Sequence, residues 1–218
     1  MAIHALKLNA PSPVSNQKTS SHFFQNSQFR NITFCVNTAF KEWAVVCEAL
    51  GSGRQSVILR KGGISEGRDG FAFLHREFFL FPTRFHETLE KTTLPPGFPL
   101  PAGREEEVEI RLAAKIEWTC FLSDPDKLSA LSDFHILRGE VVEERFRFGE
   151  PPGIHVGFAR IYRMSAPWIL PMERRFSGCR SWVELPAPPE VSLEPVLSDA
   201  ENQRRSDSLS RLLGQACR

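Results

Sequence analysis

At 218 residues the chain has room for one good-sized domain or two small ones, and its 41% hydrophobic and 24% charged residues are ordinary globular values. A formal net charge of +1 argues against a strongly basic nucleic-acid binder, although a local basic patch stays open. No apolar run approaches the roughly 18 residues that a membrane-spanning helix needs.

Eighteen Phe against a single Tyr point to a Phe-packed core, because Phe carries no polar handle and is used where burial is complete. The five cysteines are widely spaced and form no CxxC pair, which excludes a zinc ribbon or thioredoxin-type motif. Cys47 and Cys120 occupy apolar positions of predicted elements, so both are expected as buried thiols without a disulfide.

Residues 1–40 contain Lys7, Lys18 and Arg30 and no acid, and are rich in Ser, Thr, Asn and Gln. The remaining chain then carries 24 basic against 26 acidic side chains, a net of −2. An acid-free, hydroxyl-rich leader is the mark of an organellar presequence. With one Arg and a Met-Ala start it predicts a chloroplast transit peptide and a stromal protein. A secretory signal would need an apolar stretch that is absent here.

Helical periodicity begins at Phe40 and runs through Trp43, Ala44, Cys47 and Leu50, with Gly51 and Gly53 as the stop. A short strand is expected over Gln55 to Arg60, then a turn at Gly62-Gly63. Glu77 to Phe81 reads as a strand buried on both faces, closed by Pro82, with a short helix from Arg84 to Lys91 after it. Residues 92–104 hold four prolines and two glycines and read as a surface loop. Val108 to Phe121 is the clearest strand. Ile110, Leu112, Ala114, Ile116 and Trp118 lie on one face, and Glu109, Arg111, Lys115 and Glu117 on the other. A helix over Asp126 to Leu131 follows Pro125. Strands are expected over Val141 to Phe148 and Ile154 to Met164, joined by Pro151-Pro152-Gly153. A final extended piece spans Arg180 to Leu185, and beyond residue 195 the chain is polar, with one frayed helix through Leu209, Leu212 and Leu213. The resulting prediction is an α+β fold with a mixed or antiparallel sheet, of the kind a small barrel would satisfy, and two or three flanking helices. The expected organisation is a transit peptide over 1–40, one domain over 41–186 and a polar tail over 187–218.

A set of phrases resembles one family. They are Glu42-Trp43, Gln55 to Arg60 running into Lys61-Gly62-Gly63-Ile64, Phe78 to Thr83 with His86, His135, Arg145-Phe146, Tyr162, Pro167 and Gly178-Cys179-Arg180-Ser181-Trp182. Together they resemble the bacterial and plant family catalogued as domain of unknown function 1802, over about residues 41–186. The resemblance implies a single domain and fits a plant protein of cyanobacterial ancestry with an added targeting segment. It implies no activity.

Candidate chemistry concentrates at Arg60, Lys61, Gly62, Gly63 and His86. Two cations at a strand end followed by glycines suit an anion, because glycine lets backbone amides approach a phosphate that the cations neutralise. The same glycines would also serve a plain hairpin turn. His86 sits where a strand hands over to a helix, a common place for functional groups. His75, His135, His155 and Cys179 show no recognised ligand spacing, so no metal site is expected. Glu107, Glu109 and Arg111 share a strand face but lack the partner Asp of a metal-dependent nuclease. Arg145-Phe146-Arg147-Phe148 alternates basic and aromatic residues, which would add to a nucleic-acid surface if the arginines faced outward. No Walker loop, dinucleotide fingerprint, nucleophile elbow or zinc-protease motif occurs, and no cofactor is indicated.

Three functions remain open at this point. The leading one is a module that binds a nucleic acid or another phosphate-bearing ligand through Arg60, Lys61 and residues near His86. An alternative is a metal-dependent phosphodiester hydrolase using His86 with Glu87 or Glu109. The third is a structural or assembly protein whose Pro-rich segments, 92–104 and 186–195, dock a protein partner.

Overall fold

The computed structural model describes residues 34, 36–61, 71–84, 89–98, 104, 106–148 and 150–214. These belong to one compact unit that begins at Asn31. The fold is α+β, with a curled mixed sheet that forms a half-barrel. Its elements in chain order are β1 (Thr38–Trp43), α1 (Ala44–Gly51), β2 (Val57–Arg60), β3 (Glu77–Thr83), β4 (Glu107–Leu122), a 3-10 segment (Pro125–Phe134), α2 (Gly139–Arg147), β5 (Ile154–Pro171), β6 (Trp182–Glu184), β7 (Leu193–Pro195) and α3 (Asp199–Leu213).

The strands lie in the order β2-β5-β4-β3-β1-β6, with β7 on a further stretch of β5. Among the described residues only β1 and β3 pair in parallel, with Phe40 opposite Leu80 and Trp43 opposite Thr83. The long β4–β5 ladder is antiparallel, and β5 bulges opposite Ile110 and Leu112. The two apolar clusters divide β4 at that irregularity. Val108 and Ile110 belong to one apolar cluster, whereas Leu112, Ala114 and Ile116 belong to the other. The single-face reading of Ile110, Leu112, Ala114, Ile116 and Trp118 is therefore corrected at Ile110.

The two clusters cover the two faces of the sheet, and β3 feeds both, as its sequence required. Phe78 and Leu80 enter the first cluster and Phe79 and Phe81 the second. The helices close the first cluster. α1 contributes Val45, Val46 and Leu50, α2 contributes Val142 and Phe146, and α3 contributes Leu209 and Leu213.

Three sequence expectations change here. Thr38–Trp43 is a strand, so the predicted helix over 40–50 begins only at Ala44. Val141 to Phe148 is helical rather than extended, and Val142 and Phe146 are its buried pair, one turn apart. Cys120 is buried but disulfide-bonded, its partner lying outside the described residues. An apolar strand position explains the burial of that sulfur and carries no information about a second thiol beside it. Cys47 is buried and unbridged, its sulfur 3.9 Å from the Glu42 carbonyl.

The polar C-terminal stretch packs back on the domain. Ser198 caps α3 by accepting the Glu201 N–H at 3.2 Å, a serine three residues ahead of a glutamate. No helix among the described residues is long and apolar enough to cross a membrane.

Candidate functional site

A cleft of about 300 Å³ opens where β1, β2 and α2 meet. Its walls are Trp43 and Leu59, with Arg60 and Lys61 at the end of β2 and Lys91 beside them. Val141, Glu144, Arg145 and Phe148 come from α2 and its C-terminal end, and Cys179 and Ser181 from the segment before β6. Four cations thus converge against one lining carboxylate, Glu144.

Beneath them lies Glu42, 2% exposed on β1. Its carboxylate accepts the Trp43 N–H at 2.9 Å and stands 3.6 Å from the Arg60 guanidinium. Arg60 also donates to the Lys41 carbonyl and lies over the Phe40 ring at 4.8 Å. Its Nε is buried with no acceptor. Arg60 is thus partly a structural counter-ion, since a carboxylate buried in a central strand is tolerated only when paired.

The other three cations have no such partner. Lys61 donates to the Pro151 carbonyl at 2.7 Å. Arg145 donates to the Leu59 carbonyl at 3.2 Å and lies 4.9 Å over the Trp43 ring. The Lys91 ammonium lies 5.7 Å over the same ring. None of the three makes a salt bridge to a described carboxylate, so their charges are met by backbone oxygens and a π face. Burial lowers the Arg145 guanidinium from its ordinary value; the Glu42 and Glu144 charges oppose that shift and the Arg60 charge adds to it. Burial also lowers Lys61, with Glu150 opposing.

Cys179 is held at the rim by β1. The Lys41 ammonium donates to the Gly178 carbonyl at 3.0 Å, and the Lys41 N–H donates to the Ser181 carbonyl at 2.8 Å. Gly178, with φ at +86°, makes the turn that leaves the Cys179 thiol exposed.

Of the sequence candidates, Arg60 and Lys61 stand together in this cleft. Gly62, Gly63 and His86 lie outside the described residues, as does Glu87. Trp43, Lys91, Arg145 and Cys179 are additions from the structure. Arg145 was weighed only as half of an alternating strand. On a helix its neighbour Arg147 turns away to pair with Glu143 at 3.1 Å, and Phe148 is left exposed.

The remaining candidates are spent elsewhere. Glu109 pairs with Arg111 at 2.8 Å on an exposed strand face, and Glu107 meets Arg104 at 3.5 Å. His75 packs on Trp182, His155 packs on Phe71, and His135 is buried. No three His, Cys, Asp or Glu residues gather among the described residues as metal ligands would. The Pro-rich segments are anchored to their own domain where they are described. Thr92 bridges to Leu137, Phe98 lies under Arg54 at 5.4 Å, and β7 pairs with β5.

Among solved structures the chain is similar to the ASCH protein of Zymomonas mobilis, at 15% identity and a TM-score of 0.40, over 78% of this chain and 93% of that one. Two single-residue variants of that protein give 14% and 16% identity with TM-scores of 0.41 and 0.40, over 78% of this chain and 94% and 96% of theirs. No curated protein matches the chain. The family described as Domain of unknown function (DUF1802) matches residues 39–208, nearly the whole folded unit, and the chain belongs to that family.

Proposed function

We propose that the domain binds a phosphate-bearing ligand in the cleft between β1, β2 and α2, with single-stranded RNA as its macromolecular partner. The observation that carries this reading is the convergence of Lys61, Lys91 and Arg145, three cations that make no salt bridge to a carboxylate among the described residues, beside Arg60. Like charges held close together repel, and an anion placed among them relieves that repulsion while accepting several charge-assisted hydrogen bonds. The overall charge of the chain is near neutral, so attraction is local and falls on this face. With the acid-free leader, the compartment we propose is the chloroplast stroma.

Filter binding of the protein to single-stranded RNA at two salt concentrations tests the reading. Binding weakens with salt, and Lys61→Ala and Lys91→Ala each flatten the log–log salt slope by about 0.7–1 unit. Arg60 is left intact because its loss strands Glu42. A wild-type protein that shows no salt-sensitive binding overturns the proposal.

A further inference from the structure

Resting on that reading, we infer that the cleft takes a phosphomonoester, the terminal phosphate of an RNA chain or of a mononucleotide, in preference to the internal diesters of a strand. Size is the first reason. At about 300 Å³ the cleft is at the low end of small-molecule sites, which run roughly 300–1,000 Å³. A groove that follows a strand extends over about 4–16 nucleotides. The described lining of this one is a single set of side chains from β1, β2, Lys91, α2 and the segment before β6.

Charge is the second reason. An internal diester brings one negative charge, whereas a terminal phosphate brings about 1.5–2 and three acceptor oxygens. The cleft offers three cations in no salt bridge to a carboxylate among the described residues, two of them ammonium groups with three donors each. Lys61 commits one hydrogen bond to Pro151, which leaves its other two donors for a ligand.

The third reason is the state of the aromatic rings in the cleft, Trp43 and Phe148. Strand-binding surfaces present bare rings on which bases stack. Here the Trp43 ring is already engaged by Arg145 and Lys91 at 4.9 and 5.7 Å. It serves to position two cations, which leaves the exposed Phe148 ring as the place for a single base, as a terminal nucleotide requires and a tract of stacked bases does not.

Cys179 supplies an internal reporter. It is exposed in the cleft, whereas Cys47 is buried and Cys120 is bridged. The experiment titrates the whole protein with one short RNA oligonucleotide bearing a 5′-phosphate, a 3′-phosphate or only hydroxyl ends. A nucleoside monophosphate and inorganic phosphate serve as further arms. Alkylation of Cys179 by a neutral reagent is followed by peptide mass spectrometry in each arm. A phosphorylated end is expected to tighten binding about tenfold or more over the hydroxyl form. The same ligand slows Cys179 alkylation, and the preference is lost in Lys61→Ala and Lys91→Ala, whose folding is checked by circular dichroism. Protection by the mononucleotide alone identifies a free nucleotide as sufficient, and protection only by phosphorylated RNA identifies the chain end. Equal affinity for phosphorylated and hydroxyl forms, or binding that leaves Cys179 unprotected, overturns the inference while leaving RNA binding standing. Absence of any binding in any arm removes both.

Discussion

His135 is buried on the chain between the 3-10 segment and α2, with its Nδ1 accepting the Leu137 N–H at 3.1 Å. Burial pushes the imidazole down to about 4, and the Arg145 charge pushes it the same way. The folded state therefore holds this ring neutral, while the unfolded chain protonates it near pH 6.5. Its contribution is complete above that value and is lost as pH falls towards 4. Urea melts should show the protein about 2 kcal/mol less stable at pH 5 than at pH 7, and His135→Asn should remove most of that difference. An unchanged pH dependence in the variant would place the titration elsewhere. At this scale the sequence announced part of the cleft. Arg60 and Lys61 are adjacent cations at a strand end and could be read directly. Lys91 and Arg145 are single cations on separate elements, and only the fold brings them over one tryptophan.

The elements show why those partners were hidden. In Val141 to Phe148, apolar residues at 142, 146 and 148 and charges at 143, 145 and 147 satisfy a period of two nearly as well as a helical one. The Glu-Glu-Arg run favours a helix, and burial of Val142 and Phe146 one turn apart decides it. β1 was obscured differently. Ala39, Phe40, Lys41 and Glu42 are all buried, so alternation vanishes and Phe40 and Trp43 fall by chance in phase with α1. β3, β4 and β5 were legible because they are long or almost wholly apolar. α3 looked too polar to matter, yet it docks by polar contacts. The Trp118 Nε1 donates to Ser206 Oγ at 2.8 Å, Asn202 donates to Glu117 at 2.8 Å, and Arg205 donates to the Gly53 carbonyl at 2.6 Å. Trp118 also stacks on Phe158 at 5.4 Å with rings 9° apart. Trp118→Ala should cost about 3 kcal/mol by losing packing and bond together. Trp118→Phe or Ser206→Ala should cost about 1 kcal/mol, and combining those two should cost little more than either alone. Full additivity in that cycle would show that the bond does not hold α3 to the sheet.

For the whole molecule, a mixed sheet was readable from strand content and the α+β fold follows from it, whereas the second apolar cluster was announced only by β3, because β4 reads as apolar on a single face. The leader remains a matter of composition. Residues 1–40 fused to a fluorescent protein should direct it to chloroplasts, and a cytosolic or secreted fusion would end that proposal. The fold adds a condition on any cut. Phe34 is buried against Phe79 and Tyr162, at 6.5 and 5.7 Å between ring centroids, and β1 begins at Thr38. A stable mature protein should therefore start ahead of Phe34, which N-terminal sequencing of the imported product would read. The parallel pairing of β1 with β3, and its antiparallel pairing with β6, has a consequence in time. A chain leaving the ribosome exposes β1 first, but the last strand beside it arrives about 140 residues later, together with Cys179 and Ser181 at the cleft rim. Long-range pairings of this kind form late, because loop closure must come first. A chain that ends before Cys179 therefore carries all four cleft cations but lacks both β6, the antiparallel partner of β1, and the Cys179–Ser181 rim.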